Sequence, residues 1–283
     1  MPAVVADGIE TRYELIGSGP PLLMYAPGGF DATVEKWSTQ GVYATIKLLD
    51  HLPRAYTCVA FDRRETGRSG GRVERVAWQD YARQGRALLD ELGIERAHVM
   101  GGCMGVSCAI AFAVAYPRAT QSLVLYWPVG GARYRMNSHL RFAEHLAFVQ
   151  RNGLQQVVEL VRAEGKSFGA DPRGGPWAAV IKRDAAFAEE YARLPRETYE
   201  TLVTGMGRTL FDRDTAPGAE PEDLMALDIP ALVVPGRDAA HATSAARYLA
   251  ECLPRSEYWD VPVAGQTRSA ASARVLDFLA RAS

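Results

Sequence analysis

The stretch HVMGGCMGVSCAIAF, residues 98–112, places a cysteine among three glycines. An apolar run ends at Gly101-Gly102, and small apolar residues resume after Gly105. This pattern predicts a strand, a tight turn and a helix that ends before Pro117. In an open α/β sheet such a turn lies at the carboxyl edge of the strands, where ligands bind. The sequence therefore predicts that Cys103 stands on a corner at a ligand-binding edge.

A cysteine on such a corner has two interpretations, a nucleophile or a small buried residue. The helix that follows Cys103 directs backbone N–H groups and a partial positive charge toward it. This environment lowers the pKa of a thiol and stabilises an oxyanion, which suits a nucleophile. A free cysteine is also a common small buried residue with no chemical role. The corner position favours the first reading.

Composition and charge limit the partners that we expect. The chain has 283 residues, 48% of them hydrophobic, and a formal net charge of -1. No basic stripe or long apolar span is present, so we expect a small-molecule substrate, no nucleic-acid partner and no membrane partner. The four cysteines are scattered without paired spacing, and the first residues lack a signal-peptide pattern. We therefore expect a reduced cytoplasmic protein with no metal or cofactor. The oligomeric state is not indicated.

Strand and helix patterns alternate along most of the chain. The pattern predicts strands at 10–16, 21–26, 56–62, 97–102, 121–128, 230–236 and 256–263, and helices at 42–52, 77–93, 104–116, 242–253 and 270–281. Only helical periods occur between 129 and 222. This order predicts a mostly parallel sheet of about eight strands with helices on both faces. The predicted core is 1–128 and 223–283, and 129–222 is a helical lid inserted after the sixth strand.

The G-x-C-x-G turn at Gly101–Gly105 resembles the nucleophile elbow of the α/β-hydrolase superfamily, with cysteine in place of serine. The surrounding order is also similar over nearly the whole chain. A Pro-Gly-Gly loop follows an early strand, a D-x-R-x-x-G-x-S turn begins at Asp62, and Asp238 follows a late strand. The resemblance implies the α/β-hydrolase fold, with Cys103 as nucleophile and Asp238 as catalytic acid.

The position where this superfamily carries its histidine is occupied by Gln266. An amide takes up no proton at neutral pH, so Gln266 is not a general base. Three accounts remain open. Another histidine serves, either His241 near Asp238 or His139 and His145 in the lid. For His241 a cap of the following helix is the favoured alternative, and for the lid histidines a surface position. Alternatively, the helix terminus holds Cys103 as thiolate and deacylation is slow. In the third account Gln266 binds substrate and the chemistry is not acyl transfer.

Further residues are candidates for binding. The resemblance implies an oxyanion site formed by the backbone N–H of Met104 and that of Gly29 or Phe30. Trp127 and Tyr134 lie where the predicted sheet edge meets the lid, and aromatic rings there suit an apolar slot. Two arginines beside Tyr134, Arg133 and Arg135, suit a carboxylate. Packing of the lid against the core is an equal interpretation.

Two classes of function follow. The first is a hydrolase-like enzyme in which Cys103 attacks the carbonyl of a small organic ester, thioester, lactone or C–C substrate. The second is a non-hydrolytic or catalytically impaired relative, such as a lyase, an isomerase or a small-ligand binding protein. Cys103 and Asp238 favour the first class, and Gln266 favours the second.

Overall fold

The computed structural model describes residues 2–282, which contain one eight-stranded sheet. Its strands are β1 (Ala3–Ala6), β2 (Ile9–Ile16), β3 (Pro21–Tyr25), β4 (Thr57–Phe61), β5 (Ala97–Gly102), β6 (Thr120–Tyr126), β7 (Ala231–Val234) and β8 (Ser256–Tyr258). Their order in the sheet is β1-β2-β4-β3-β5-β6-β7-β8. β2 runs antiparallel to both β1 and β4, and all the pairings from β4 to β8 are parallel. The predicted α/β-hydrolase architecture is confirmed.

Helices connect the strands and cover the sheet. They are α1 (Lys36–Thr39), α2 (Gly41–Ile46), α3 (Trp78–Glu91), α4 (Gly105–Ala115), α5 (Ala132–Glu164), α6 (Ala178–Arg183), α7 (Ala185–Arg193), α8 (Arg196–Leu210), α9 (Pro221–Met225), α10 (Thr243–Cys252) and α11 (Arg268–Arg281). Consecutive residues of a strand point to opposite faces of a sheet. Gly101 faces α4, whereas Gly102 faces Trp37 and Tyr43 of α1 and α2. The sheet is therefore covered on both faces.

Two elements differ from the sequence prediction. The edge strand β1 was not predicted, because it has only four residues and is mostly solvent-accessible. Asp7 and Gly8, both with positive φ, form the two-residue turn that joins it to β2. The predicted helix at 42–52 ends at Ile46, because Lys47 adopts a left-handed conformation and two short 3₁₀ turns follow.

The segment between β6 and β7 contains α5 to α9 and no strand. Its first helix, α5, has 33 residues and bends at Gly153, where φ is 79° and ψ is 170°. This glycine joins two predicted helical periods into one bent helix. No helix in the described residues combines the length and apolar character needed to cross a bilayer.

The parallel register brings four connections to one edge of the sheet. Gly101 of β5 pairs with Tyr25 of β3 and Leu125 of β6, and Tyr126 of β6 pairs with Val234 of β7. The loops that follow these four strands therefore meet. They carry the Pro-Gly-Gly sequence, Cys103, Trp127 and Asp238.

A substitution at Gly105 tests the close packing of α4 against β3 at this edge. A Cβ atom at Gly105 lies 2.2 Å from the carbonyl oxygen of Tyr25, so we expect Gly105→Ala to push α4 away from β3. Such overpacking destabilises folding by about 1–3 kcal/mol, and urea denaturation measures the change. Gly70→Ala is the control, because its nearest neighbours lie at 3.6 Å. Equal free energies of unfolding for the two variants would contradict this reading.

Candidate active site

Cys103 occupies a strained corner between β5 and α4. Its φ is 54°, a conformation that non-glycine residues rarely adopt. Its backbone N–H donates to the Tyr126 carbonyl at 3.2 Å, which ties the corner to β6. A Cβ at Gly101 would lie 2.3 Å from the Gly105 carbonyl oxygen, so only glycine fits beneath the bend. Strain of this kind is maintained where it orients a functional side chain.

The Cys103 thiol shares a cavity with the residues of the predicted oxyanion site. Gly29, Phe30 and Met104 all line the cavity that Cys103 faces. Burial of Cys103 opposes its ionisation, but His241 and the backbone N–H groups of Gly28 and Met104 outweigh burial and lower the thiol pKa. These interactions favour the thiolate form of Cys103.

Asp238 and His241 form a hydrogen-bonded pair in the loop between β7 and α10. The Nδ1 atom of His241 lies 2.8 Å and 2.9 Å from the two carboxylate oxygens of Asp238. Asp238 Oδ1 also accepts the backbone N–H groups of Ala240 and His241, at 2.8 Å and 2.9 Å. The carboxylate thus fixes both the loop and the imidazole ring.

The second nitrogen of His241 completes the arrangement. Nε2 is buried and has no hydrogen-bond partner of ordinary geometry among residues 2–282. Burial disfavours the charge on His241, but interactions with Cys103 and then Asp238 outweigh it and raise the His241 pKa to about 9. The pKa of Asp238 is lowered because the interaction with His241 outweighs partial burial. A positive charge on His241 therefore lowers the pKa of the Cys103 thiol, and a negative charge on Cys103 raises the pKa of His241.

Trp127 lies behind the imidazole and not in the cavity wall. Its ring centre is 5.3 Å from that of His241, with the two planes tilted by 55°. Its backbone has a φ of 54°, which directs the side chain away from the pocket and toward Gly236. The sequence left two interpretations of Trp127 open, an apolar slot and packing. The ring packs against His241 and does not line the cavity, so the slot interpretation is wrong for this residue.

Gln266 is buried, with 2% of its surface exposed, and its amide is fully engaged. Its oxygen accepts the indole N–H of Trp127 at 2.7 Å and the hydroxyl of Tyr126 at 3.2 Å. Its nitrogen donates to the carbonyl of Pro235 at 2.8 Å. Gln266 is absent from the residues that line the cavity, so its amide holds Trp127 and the end of β7.

The other two histidines considered from the sequence form hydrogen bonds outside the cavity. His139 contacts the Phe211 carbonyl at 3.0 Å. His145 is buried between the Arg173 carbonyl and the Tyr199 hydroxyl, at 3.0 Å and 2.6 Å, and burial lowers its pKa to about 4. Neither lines the cavity with Cys103.

The cavity has a volume of about 560 Å³ and is lined by both aromatic and polar side chains. Tyr134, predicted as a binding residue, lines it together with four rings that pack edge to face, namely Phe30, Phe142, Phe168 and Phe211. A cavity of this size accommodates a small organic molecule.

The polar part of the cavity differs from the sequence prediction. Arg133 does not line it, and Arg135 pairs with Asp214 at 3.3 Å. Asn137, Ser138 and Arg141 of α5 do line it. Sequence reasoning missed these three residues, although their spacing from Tyr134 on a helix was a usable signal.

Comparison with known proteins supports the fold. A sequence profile of the α/β hydrolase fold matches residues 21–162. The chain is 34% identical over 159 residues to the dihydrolipoyllysine-residue acetyltransferase component of the acetoin cleaving system of Cupriavidus necator, covering 56% of this chain and 39% of that protein. It is 34% identical over 122 residues to a 2-hydroxy-6-oxononadienedioate/2-hydroxy-6-oxononatrienedioate hydrolase of Pseudomonas putida, covering 43% of this chain and 37% of that protein. The first curated relatives are matched over 39% to 55% of their length.

Solved structures share the fold over the whole chain. The enol-lactonase of Burkholderia xenovorans LB400 superposes with a TM-score of 0.62 at 17% identity, covering 99% of this chain and 100% of that one. A meta-cleavage product hydrolase gives a TM-score of 0.62 at 18% identity, covering 99% and 98%. Since the sequence profile matches half of the 283 residues, this chain belongs to the α/β-hydrolase fold family.

Proposed function

We propose that this protein is a hydrolase in which Cys103 is the nucleophile, His241 the general acid and base, and Asp238 the residue that orients His241. The observation that carries the proposal is the Asp238–His241 hydrogen bond, because it leaves the buried Nε2 free to interact with Cys103. The histidine thus follows β7 instead of β8. Residues 129–222 form the lid over this site.

The proposed reaction proceeds through an acyl-enzyme. The Cys103 sulfur attacks the substrate carbonyl carbon, and the carbonyl oxygen becomes an oxyanion held by N–H groups of Met104 and of Gly29 or Phe30. His241 protonates the leaving group as the tetrahedral intermediate collapses to a thioester on Cys103. His241 then takes a proton from water, which attacks the thioester and releases the acid and the thiol.

The substrate class follows from the chemistry of the site. An activated carbonyl suits a thiolate, so esters, thioesters, lactones and cleavable C–C bonds beside a carbonyl remain the candidates. The aromatic walls suit an apolar group of the substrate. The non-hydrolytic alternative depended on a missing base, and it loses that support when His241 takes this role.

Gln266 has a positioning role in this proposal. Its amide holds the indole N–H of Trp127, and Trp127 packs against the His241 ring. A histidine at 266 is therefore not needed for proton transfer. Gln266, which occupies the position of the usual base, thus supports His241, the residue that we propose as the base.

Ester hydrolysis tests the proposed roles. We expect His241→Ala to lower kcat/KM for p-nitrophenyl butyrate by about 10²- to 10⁴-fold, the contribution typical of general acid–base catalysis. Cys103→Ala abolishes the reaction. His139→Ala in the lid is the matched control and keeps wild-type kinetics. Unchanged kcat/KM in His241→Ala, measured on a folded variant, would refute the assignment.

Alkylation of Cys103 reports the thiolate–imidazolium pair directly. We expect iodoacetamide to modify wild-type Cys103 at a lower pH than an ordinary thiol, whose pKa is about 8.5. His241→Asn moves the profile upward, because burial then opposes ionisation without a neighbouring cation. Since the His241 pKa is raised to about 9, the imidazolium persists at neutral pH and is lost as the pH rises through that value. Peptide mass spectrometry follows the modification, and identical profiles for the two proteins would contradict the pairing.

The substitution Gln266→His tests whether residue 266 supports His241 or marks the position of a lost general base. The imidazole does not reproduce the amide contacts to Trp127 and Pro235, so we expect lower stability, by about 1–3 kcal/mol for the groups left unpaired, and lower ester turnover. Trp127→Phe removes one of the same hydrogen bonds and is the matched comparison. A gain of about 10²-fold in turnover, as a general base provides, would show that position 266 is the missing base site.

A further inference from the structure

Arg63 is buried beneath the Pro-Gly-Gly loop without a carboxylate partner. None of its surface is exposed, and no acidic group of residues 2–282 lies within ion-pair distance of it. Its neighbour Arg64 is equally buried but pairs with Glu65 and Glu74. An unpaired buried cation is costly, so the contacts that Arg63 does make need an explanation.

The guanidinium of Arg63 contacts the loop and the elbow helix. Its Nη2 atom donates to the carbonyl oxygens of Gly28 and Gly29, at 2.5 Å and 2.6 Å. Its Nη1 atom donates to the Cys108 sulfur at 3.2 Å, and the group lies 5.0 Å from the centre of the Tyr81 ring. Arg63 also interacts electrostatically with Cys103.

Because peptide units are planar, these two contacts also determine the orientation of two backbone N–H groups. The Gly28 carbonyl belongs to the same peptide unit as the Gly29 N–H, and the Gly29 carbonyl to that of the Phe30 N–H. In a trans peptide the carbonyl and the N–H point in opposite directions, and the described chain has no cis peptide. Arg63 draws both carbonyls toward the core, so both N–H groups point away from it, toward the cavity that Gly29 and Phe30 line.

We propose that Arg63 is a positioning residue for the oxyanion site, holding two successive peptide units so that their N–H groups face the substrate carbonyl. The inference rests on the proposed function of Cys103. Two glycines in succession do not hold one orientation by themselves, since glycine has wide conformational freedom. A fixed cation beneath the loop also favours the negative charge of the intermediate in this buried setting.

The role predicts a particular split between kinetic constants. The oxyanion forms only as the carbonyl is attacked, so loss of its donors lowers kcat with little change in KM. We expect Arg63→Met to lower kcat for p-nitrophenyl butyrate by about 10²- to 10³-fold, as loss of an oxyanion donor does. Arg63→Lys retains the charge and one donor, and we expect it to recover part of kcat.

Arg64→Met is the matched control, because it removes an equally buried arginine that does not touch the loop. We expect it to lower the melting temperature while wild-type kcat and KM are kept. If wild-type protein does not hydrolyse the ester, the proposed function fails. If wild type is active and folded Arg63→Met keeps wild-type kcat, the Arg63 inference fails alone. Should Arg63→Met not fold, the same comparison is made with Arg63→Gln and Arg63→Lys, and wild-type kcat in both overturns the inference.

Discussion

The close approach of the β5–α4 corner to the end of β3 governs the rest of the site. Because no Cβ atom is present at Gly101 or Gly105, the helix begins directly beneath Cys103. The positive φ of Cys103 directs its sulfur into the cavity together with the N–H of Met104. A side chain that interacts with the Cys103 sulfur must therefore extend from a loop at the end of a neighbouring strand.

The residue in position to do so comes from an unexpected place in the chain. Asp238 and His241 lie three residues apart in one loop, and the carboxylate binds both the loop backbone and the imidazole. Gln266, at the usual histidine position, reaches the same histidine indirectly through Trp127. In our proposal the general base is therefore at position 241 instead of 266, and Gln266, Trp127 and His241 pack together.

The sequence was sufficient for the fold because its glycines and apolar runs are local signals. β5 matches its predicted segment and α10 lies within one residue of its predicted ends, whereas β1 was missed because four mostly accessible residues give no core pattern. The predicted site residues fall into two groups. Cys103, Met104, Gly29, Phe30, Tyr134 and His241 line one cavity, whereas Asp238, Trp127 and Gln266 do not line it. Which of these contacts forms depends on side-chain direction, and spacing along the chain does not specify it.

Arg63 illustrates the same limit for charged residues. The motif that begins at Asp62 contains two adjacent arginines, and the sequence alone does not distinguish their roles. Arg64 has carboxylate partners and Arg63 has carbonyl oxygens, a difference set by the loop that packs above them. Tertiary packing thus gives the two neighbouring arginines different roles.

The covalent intermediate is the most direct test of the central claim that Cys103 turns over with the help of His241. Wild-type protein is mixed with excess p-nitrophenyl butyrate, quenched in acid at successive times and analysed by intact and peptide mass spectrometry. The account predicts a single butyryl group on Cys103 that appears with the first nitrophenolate and disappears as the ester is consumed. Product formation without this adduct, or with the acyl group on another residue, would contradict it.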